Sequence, residues 1–89
     1  MDFEWDPQKA EKNVEKHAIS FQEALTVFHD PLSATFQDPD HSIDEQRHIT
    51  IGYSLAARLL VVAHTDRGDR IRIISARLAT AGERKRHES

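Results

Sequence analysis

The run Arg70-Ile71-Arg72-Ile73-Ile74-Ser75-Ala76-Arg77 puts three guanidinium groups into one short segment. Arg84, Lys85 and Arg86 follow shortly after. Guanidinium groups grip phosphate through two parallel hydrogen bonds, and they can stabilise charge that develops on phosphorus during reaction. A second candidate is Glu45-Gln46-Arg47. In extended chain its carboxylate and guanidinium point the same way, as a base beside a phosphate anchor would. Taken alone, that spacing fits a surface ion pair of little energetic weight equally well. Arg70 by itself reads as a solvated strand residue, whereas the cluster with Arg72 and Arg77 reads as a site.

Other chemistries find no support. There is no cysteine, so disulfides and thiolate zinc sites are excluded and a reducing cytosol is the natural setting. Six histidines, at 17, 29, 41, 48, 64 and 87, form no H-x-x-x-H or H-x-H pair, so no metal and no cofactor is expected. There is no glycine-rich phosphate loop and no G-x-S-x-G motif. The opening Met1 to Asp6 is acidic, unlike a signal peptide. The longest strongly apolar run, Leu59 to Ala63, is too short to span a bilayer.

These side chains need elements to position them. Asp2 to Trp5 reads as a short edge strand. Asp6-Pro7 is a cap and first position for a helix to about His17, and Lys16-His17 suits its negative end. Ser20-Phe21-Gln22-Glu23 matches a capping box. Phe21, Ala24, Leu25 and Phe28 follow at amphipathic helix spacing, and Asp30-Pro31 stops that helix. Strands are predicted at Ser33–Gln37, His48–Ser54, Leu59–His64 and Arg70–Ala76, with a hairpin turn at Asp66-Arg67-Gly68-Asp69. Thr80-Ala81-Gly82-Glu83 opens a short basic helix.

The expected fold is α+β in one domain over residues 1–89. Two N-terminal helices pack on an antiparallel meander of about four strands, and a short C-terminal helix follows. The helices would cover Phe21, Leu25, Ile51 and Ile73. The other face would stay partly open, carrying His48, Thr50, His64, Arg70 and Arg72. Arg77 shares parity with Ile71 and Ile73, so a regular strand would turn it toward the helices. It joins Arg72 only if the chain bulges near Ser75.

Net charge is −3, which alone argues against a polyanion partner. The two halves differ, however. Residues 1–46 hold three Lys and eleven acids, a balance of −8; residues 47–89 hold eight Arg, one Lys and four acids, a balance of +5. Such asymmetry fits either a polyanion site or charge clustering in a short chain.

Over nearly its whole length the chain resembles the BrnT family. The matching residues are Phe3-Glu4-Trp5-Asp6-Pro7 with Lys9, Asn13 and Lys16-His17; Ile19-Ser20-Phe21 with Glu23-Ala24 and Val27-Phe28; Glu45-x-Arg47; Ile51-Gly52; and Leu60-Val61-Val62. Thr65-x-Arg67-Gly68-Asp69 and Ile71-Arg72-Ile73-Ile74-Ser75-Ala76-Arg77 continue the match, with Ala79-Thr80 and Glu83-Arg84 completing it. The resemblance implies a RelE-like fold and a toxin that cleaves RNA without metal and halts translation in the bacterial cytoplasm. It implies a BrnA-like ribbon-helix-helix antitoxin as partner, with operator DNA met only through that complex, and no membrane association.

The resemblance places Glu45, Arg47, Arg72, Arg77 and His17 in the catalytic set. Lys16, His48, Arg70, Arg84 and Lys85 are the RNA-binding candidates. Glu45 or neutral His17 would take the proton of a 2′-hydroxyl, and the arginines would hold the phosphate. Two departures stand out. Ala18 replaces the usual glycine after Lys-His, a position where alanine resists positive φ. His87 replaces an aromatic, often tyrosine, at the end of the last helix. A non-catalytic nucleic-acid- or protein-binding module and a ParE-like gyrase poison are the alternatives on the same fold.

Overall fold

The computed structural model describes residues 2–38 and 46–89. Its elements are β1 (Asp2–Glu4), α1 (Pro7–His17), α2 (Phe21–Leu25) with a 3₁₀ turn at Thr26–His29, β2 (Ala34–Gln37), β3 (Arg47–Tyr53), β4 (Leu59–Arg67), β5 (Arg70–Leu78) and α3 (Ala81–Glu88). The sheet has five strands in the order β1-β5-β4-β3-β2. Strands β2 to β5 form the expected antiparallel meander, while β1 adds a parallel strand beside β5. The sheet is therefore mixed and one strand wider than expected.

Local chemistry accounts for the helix ends. Asp6 Oδ1 accepts from the Gln8 amide at 2.8 Å, with Pro7 at the first position of α1. Ser20 Oγ accepts from the Glu23 amide at 3.0 Å, but the Glu23 carboxylate turns to Arg58 and Ser54 instead of closing the box. At Thr80 both halves of the capping box form. Ala18, after α1, adopts the left-handed region at φ 58° and its amide closes on the Val14 carbonyl. The turn that alanine should resist is therefore made all the same.

The first core lies between the sheet and α1/α2. Ile19, Phe21, Ala24, Val27, Leu60, Val62, Ile73 and Ala76 are buried there, flanked by Phe3, Trp5, Leu25 and Phe28. The expected facing of β3 is reversed. His48, Thr50 and Gly52 pair in register with His64, Val62 and Leu60, so they lie on the helix side. Ile49, Ile51 and Tyr53 face the opposite side, where Ile51, Leu59 and Val61 form a second apolar cluster. Strict alternation along β3 supports either facing. Packing decides it: the aliphatic side chains of β4 need the helix layer, and Gly52 lets the chain at Val27, Asp30 and Ser33 approach. A Cβ on Gly52 would stand 2.8 Å from Ser33 Cβ and 3.0 Å from Val27 Cγ1.

Several polar groups on the helix side pair with one another, although Nδ1 of His48 and of His64 is buried without a partner among the described residues. Thr35 and Thr50 hydroxyls lie 2.7 Å apart, and the Thr50 hydroxyl lies 2.8 Å from His64 Nε2. Asn13 bridges layers. Its Nδ2 donates to the Ile19 and Ala76 carbonyls at 2.9 and 2.8 Å, and its Oδ1 accepts from the Ala76 amide at 3.0 Å. Because β1 covers β5 only at residues 70–72, the Asn13 amide acts as a strand partner for Ala76 beyond that point. Among the described residues no helix is long and apolar enough to cross a membrane.

Candidate nucleic-acid interface

Strand β5 carries the feature on which the arginines depend. Its register with β4 shifts between Ala63 and His64: Ala63 pairs with Ser75, but His64 pairs with Ile73. Ile74 is therefore an extra residue, a β-bulge. Before it, even-numbered Arg70 and Arg72 face away from α1 and α2. After it, odd-numbered Ser75 and Arg77 face the same way. The bulge brings all three arginines of the run to one face, which alternation alone forbids.

That face is organised in rows across the strands. Arg47, Thr65, Arg72 and Glu4 align on β3, β4, β5 and β1. The next row is Phe36, Ile49, Ala63 and Ser75, and the one after it is Ala34, Ile51, Val61 and Arg77. Thr65 and Val61 are four residues apart on β4, so the Arg72 and Arg77 rows are separated by about 13 Å. That exceeds one phosphodiester group. The two rows are therefore distinct cationic stations on one surface.

Carboxylates hold most of these cations. Arg72 Nη1 donates to Glu4 Oε2 at 3.0 Å, and Arg70 lies 3.5 Å from Glu4 Oε1. The Arg72 guanidinium, with Arg70 beside it, keeps the Glu4 carboxyl below its ordinary pKa. Arg77 donates to both Glu83 oxygens, at 2.8 and 3.0 Å. That bidentate pair, with the Thr80 amide, holds Glu83 down at about 2. Arg84 lies 3.4 Å from the Tyr53 hydroxyl and 3.8 Å from Glu88. The Arg47, Arg86 and Lys85 side chains have no protein partner among the described residues.

Helix α3 crosses one end of this face. Glu83, Arg86 and His87 of α3 line a groove of about 370 Å³ whose other walls are Leu32, Ala34, Phe36, Ile51 and Val61. The His87 ring tilts against Tyr53 at 6.2 Å. No group of three His, Cys, Asp or Glu side chains positioned for a metal occurs among the described residues.

His17, His48, His64 and Lys16 lie elsewhere. His48 and His64 stack at 5.8 Å on the helix side, which corrects the expectation that they share the open face with Arg70 and Arg72. Lys16 and His17 end α1, in the layer opposite the arginine rows, and no hydrogen bond or ring contact joins them to Arg47, Arg72 or Arg77. Glu45 lies outside the described residues. Sequence reading assigned no site position to Glu4 or Thr65. The signal for Glu4 was present in its alternation with the apolar Phe3 and Trp5, but its partner strand was not identifiable.

The chain is a small α+β domain with two arginine rows and an apolar groove on one face of its sheet. The family model for the ribonuclease toxin BrnT of type II toxin–antitoxin systems matches residues 5–83, and the chain belongs to that family. In fold it is similar to the Brucella abortus ribonuclease toxin BrnT, with a TM-score of 0.71 and 23% identity over 90% of this chain and 97% of that one. No curated protein sequence is a match.

Proposed function

We propose that the protein is the toxin of a type II toxin–antitoxin pair and cuts RNA by internal transfer at phosphorus, without metal. The row that sets Arg47 and Arg72 on either side of Thr65, in a chain of the BrnT family, carries this reading. A phosphate over Thr65 meets guanidinium groups from both neighbouring strands. There they orient it and stabilise the added charge of the five-coordinate state.

A 2′-oxygen attacks the adjacent phosphorus as its proton passes to a base. The 5′-oxygen leaves with a proton, and the products are a 2′,3′-cyclic phosphate and a 5′-hydroxyl. Glu45, two residues before Arg47, is the proposed base, since His17 sits in the other layer. Arg77, about 13 Å away, holds the phosphate next but one along the strand, and Arg70, Arg84 and Lys85 add to the field there. Cleavage of messages in the bacterial cytoplasm halts translation. A BrnA-like ribbon-helix-helix antitoxin neutralises the toxin and links it to operator DNA.

The test is cleavage of a defined RNA by purified protein in excess EDTA, beside Arg72→Ala and Arg72→Lys. Wild type should yield fragments ending in cyclic phosphate, and Arg72→Ala should be slower by about a hundredfold. Induced in bacteria, only the wild type should stop growth. Cleavage that needs a divalent metal, or an alanine variant of undiminished rate, overturns the proposal. RNA binding without cleavage identifies a binding module.

A further inference from the structure

We propose that the groove between β2 and α3 receives a nucleobase of the bound RNA, with Phe36 as its stacking face. The proposal rests on the reading of the open sheet face as an RNA surface and assigns it a base site.

Position is the first argument. Phe36 belongs to the row between the two arginine stations. A strand of RNA whose phosphates lie at Arg72 and at Arg77 crosses this row, and a base turned toward β2 meets Phe36, about 14 Å across the sheet from β5. The groove is joined to the second station directly, because Val61 of its floor pairs in register with Arg77 and Glu83 of its wall holds the Arg77 guanidinium.

Chemistry is the second. Ile51 and Val61 give a flat, nearly covered floor, while Phe36 is 51% exposed on the outermost strand. Unpaired bases stack on exposed aromatic side chains, and their edges are read by nearby donors. The rim supplies Arg86, which has no protein partner among the described residues, and His87. The Glu83 carboxylate is already committed to Arg77 and to the Thr80 amide, so the rim remains cationic toward a nucleotide.

Size is the third. A volume of about 370 Å³ lies at the small end of ligand sites and suits a flat ring system.

The experiment measures anisotropy of labelled, uncleavable 2′-O-methyl hexanucleotides, one intact and six with an abasic residue at successive positions. Wild type, Phe36→Ala, Phe36→Trp and Arg72→Ala are compared, with thermal unfolding to confirm that each folds. Phe36→Ala should weaken binding of the intact strand roughly tenfold and Phe36→Trp should restore it. One abasic position should weaken wild type by a similar factor yet leave Phe36→Ala unchanged. Binding by Phe36→Ala within twofold of wild type, or an abasic penalty that persists in that variant, overturns the base site. If Phe36→Ala loses only a protein partner, the groove is a protein interface and the proposal is wrong. Failure of wild type to bind RNA, or no loss in Arg72→Ala, removes the underlying RNA reading and the base site with it.

Discussion

His64 is polar by type and 4% exposed by position. Burial, with the His48 ring beside it, pushes its pKa down from the ordinary 6.5 to about 4, against a smaller upward pull from Asp66. Thr50 and the edge of Phe28 complete its surroundings. The folded protein thus keeps the imidazole neutral while the unfolded chain protonates it near 6.5. The stability this gives is full above pH 6.5, falls as pH drops, and is lost as pH passes through about 4. Between pH 7.5 and 5 the loss should be about 2 kcal/mol. Urea unfolding at the two pH values should show a lower midpoint at unchanged slope, and His64→Gln should flatten the dependence. The paired carboxylates Glu4, Glu23 and Glu83 all have pKa values lowered from 4.5, so the stability they give is present at neutral pH and is lost only in more acid solution.

At the scale of elements, the end of α1 offers the sharpest test. Ala18 holds φ 58°, a conformation that costs an L-residue on the order of 1 kcal/mol and glycine nothing. Ala18→Gly should raise the thermal midpoint by roughly 5 °C, since a domain this small shifts several degrees per kcal/mol. No change in calorimetry would mean that the greater freedom of glycine in the unfolded chain offsets the relief of left-handed strain.

Helix caps, the amphipathic α2 and each strand of the meander were legible because local signals, namely capping residues, turn residues and alternation, define them. The facing of β3 was not, because Ile49/Ile51 and Thr50/Gly52 are both acceptable linings until a partner layer is chosen. Arg77 was half legible: parity said that a bulge was required, but nothing in Ile73-Ile74-Ser75 marks which residue is extra. The parallel pairing of β1 was illegible, since no local signal in Asp2–Glu4 names a strand so distant in sequence. That pairing gives Arg72 its carboxylate, so part of the candidate site stayed hidden with it.

At the scale of the whole molecule, the charge asymmetry of the two halves largely cancels in space. Glu4 of the acidic half faces Arg70 and Arg72, and Glu23 faces Arg58. Within the basic half Glu83 and Glu88 engage Arg77 and Arg84. RNA therefore meets a surface with few ready cations, chiefly Arg47, Lys85 and Arg86. The slope of log affinity against log salt for single-stranded RNA should be about −2, near 0.7 per cation neutralised. Arg72 and Arg77 release few ions if they keep Glu4 and Glu83 while meeting phosphate; a slope near −3.5, about 0.7 for each of five cations, would show that RNA displaces those carboxylates.

Glu4 and Arg72 also lie 68 residues apart in the chain. A ribosome makes Glu4 early and Arg72 late, so the cation row and its counter-charge cannot meet until most of the protein has been made. Glu4 is already on the chain when Arg72 emerges, so the counter-charge is at hand from the moment the cation row can form.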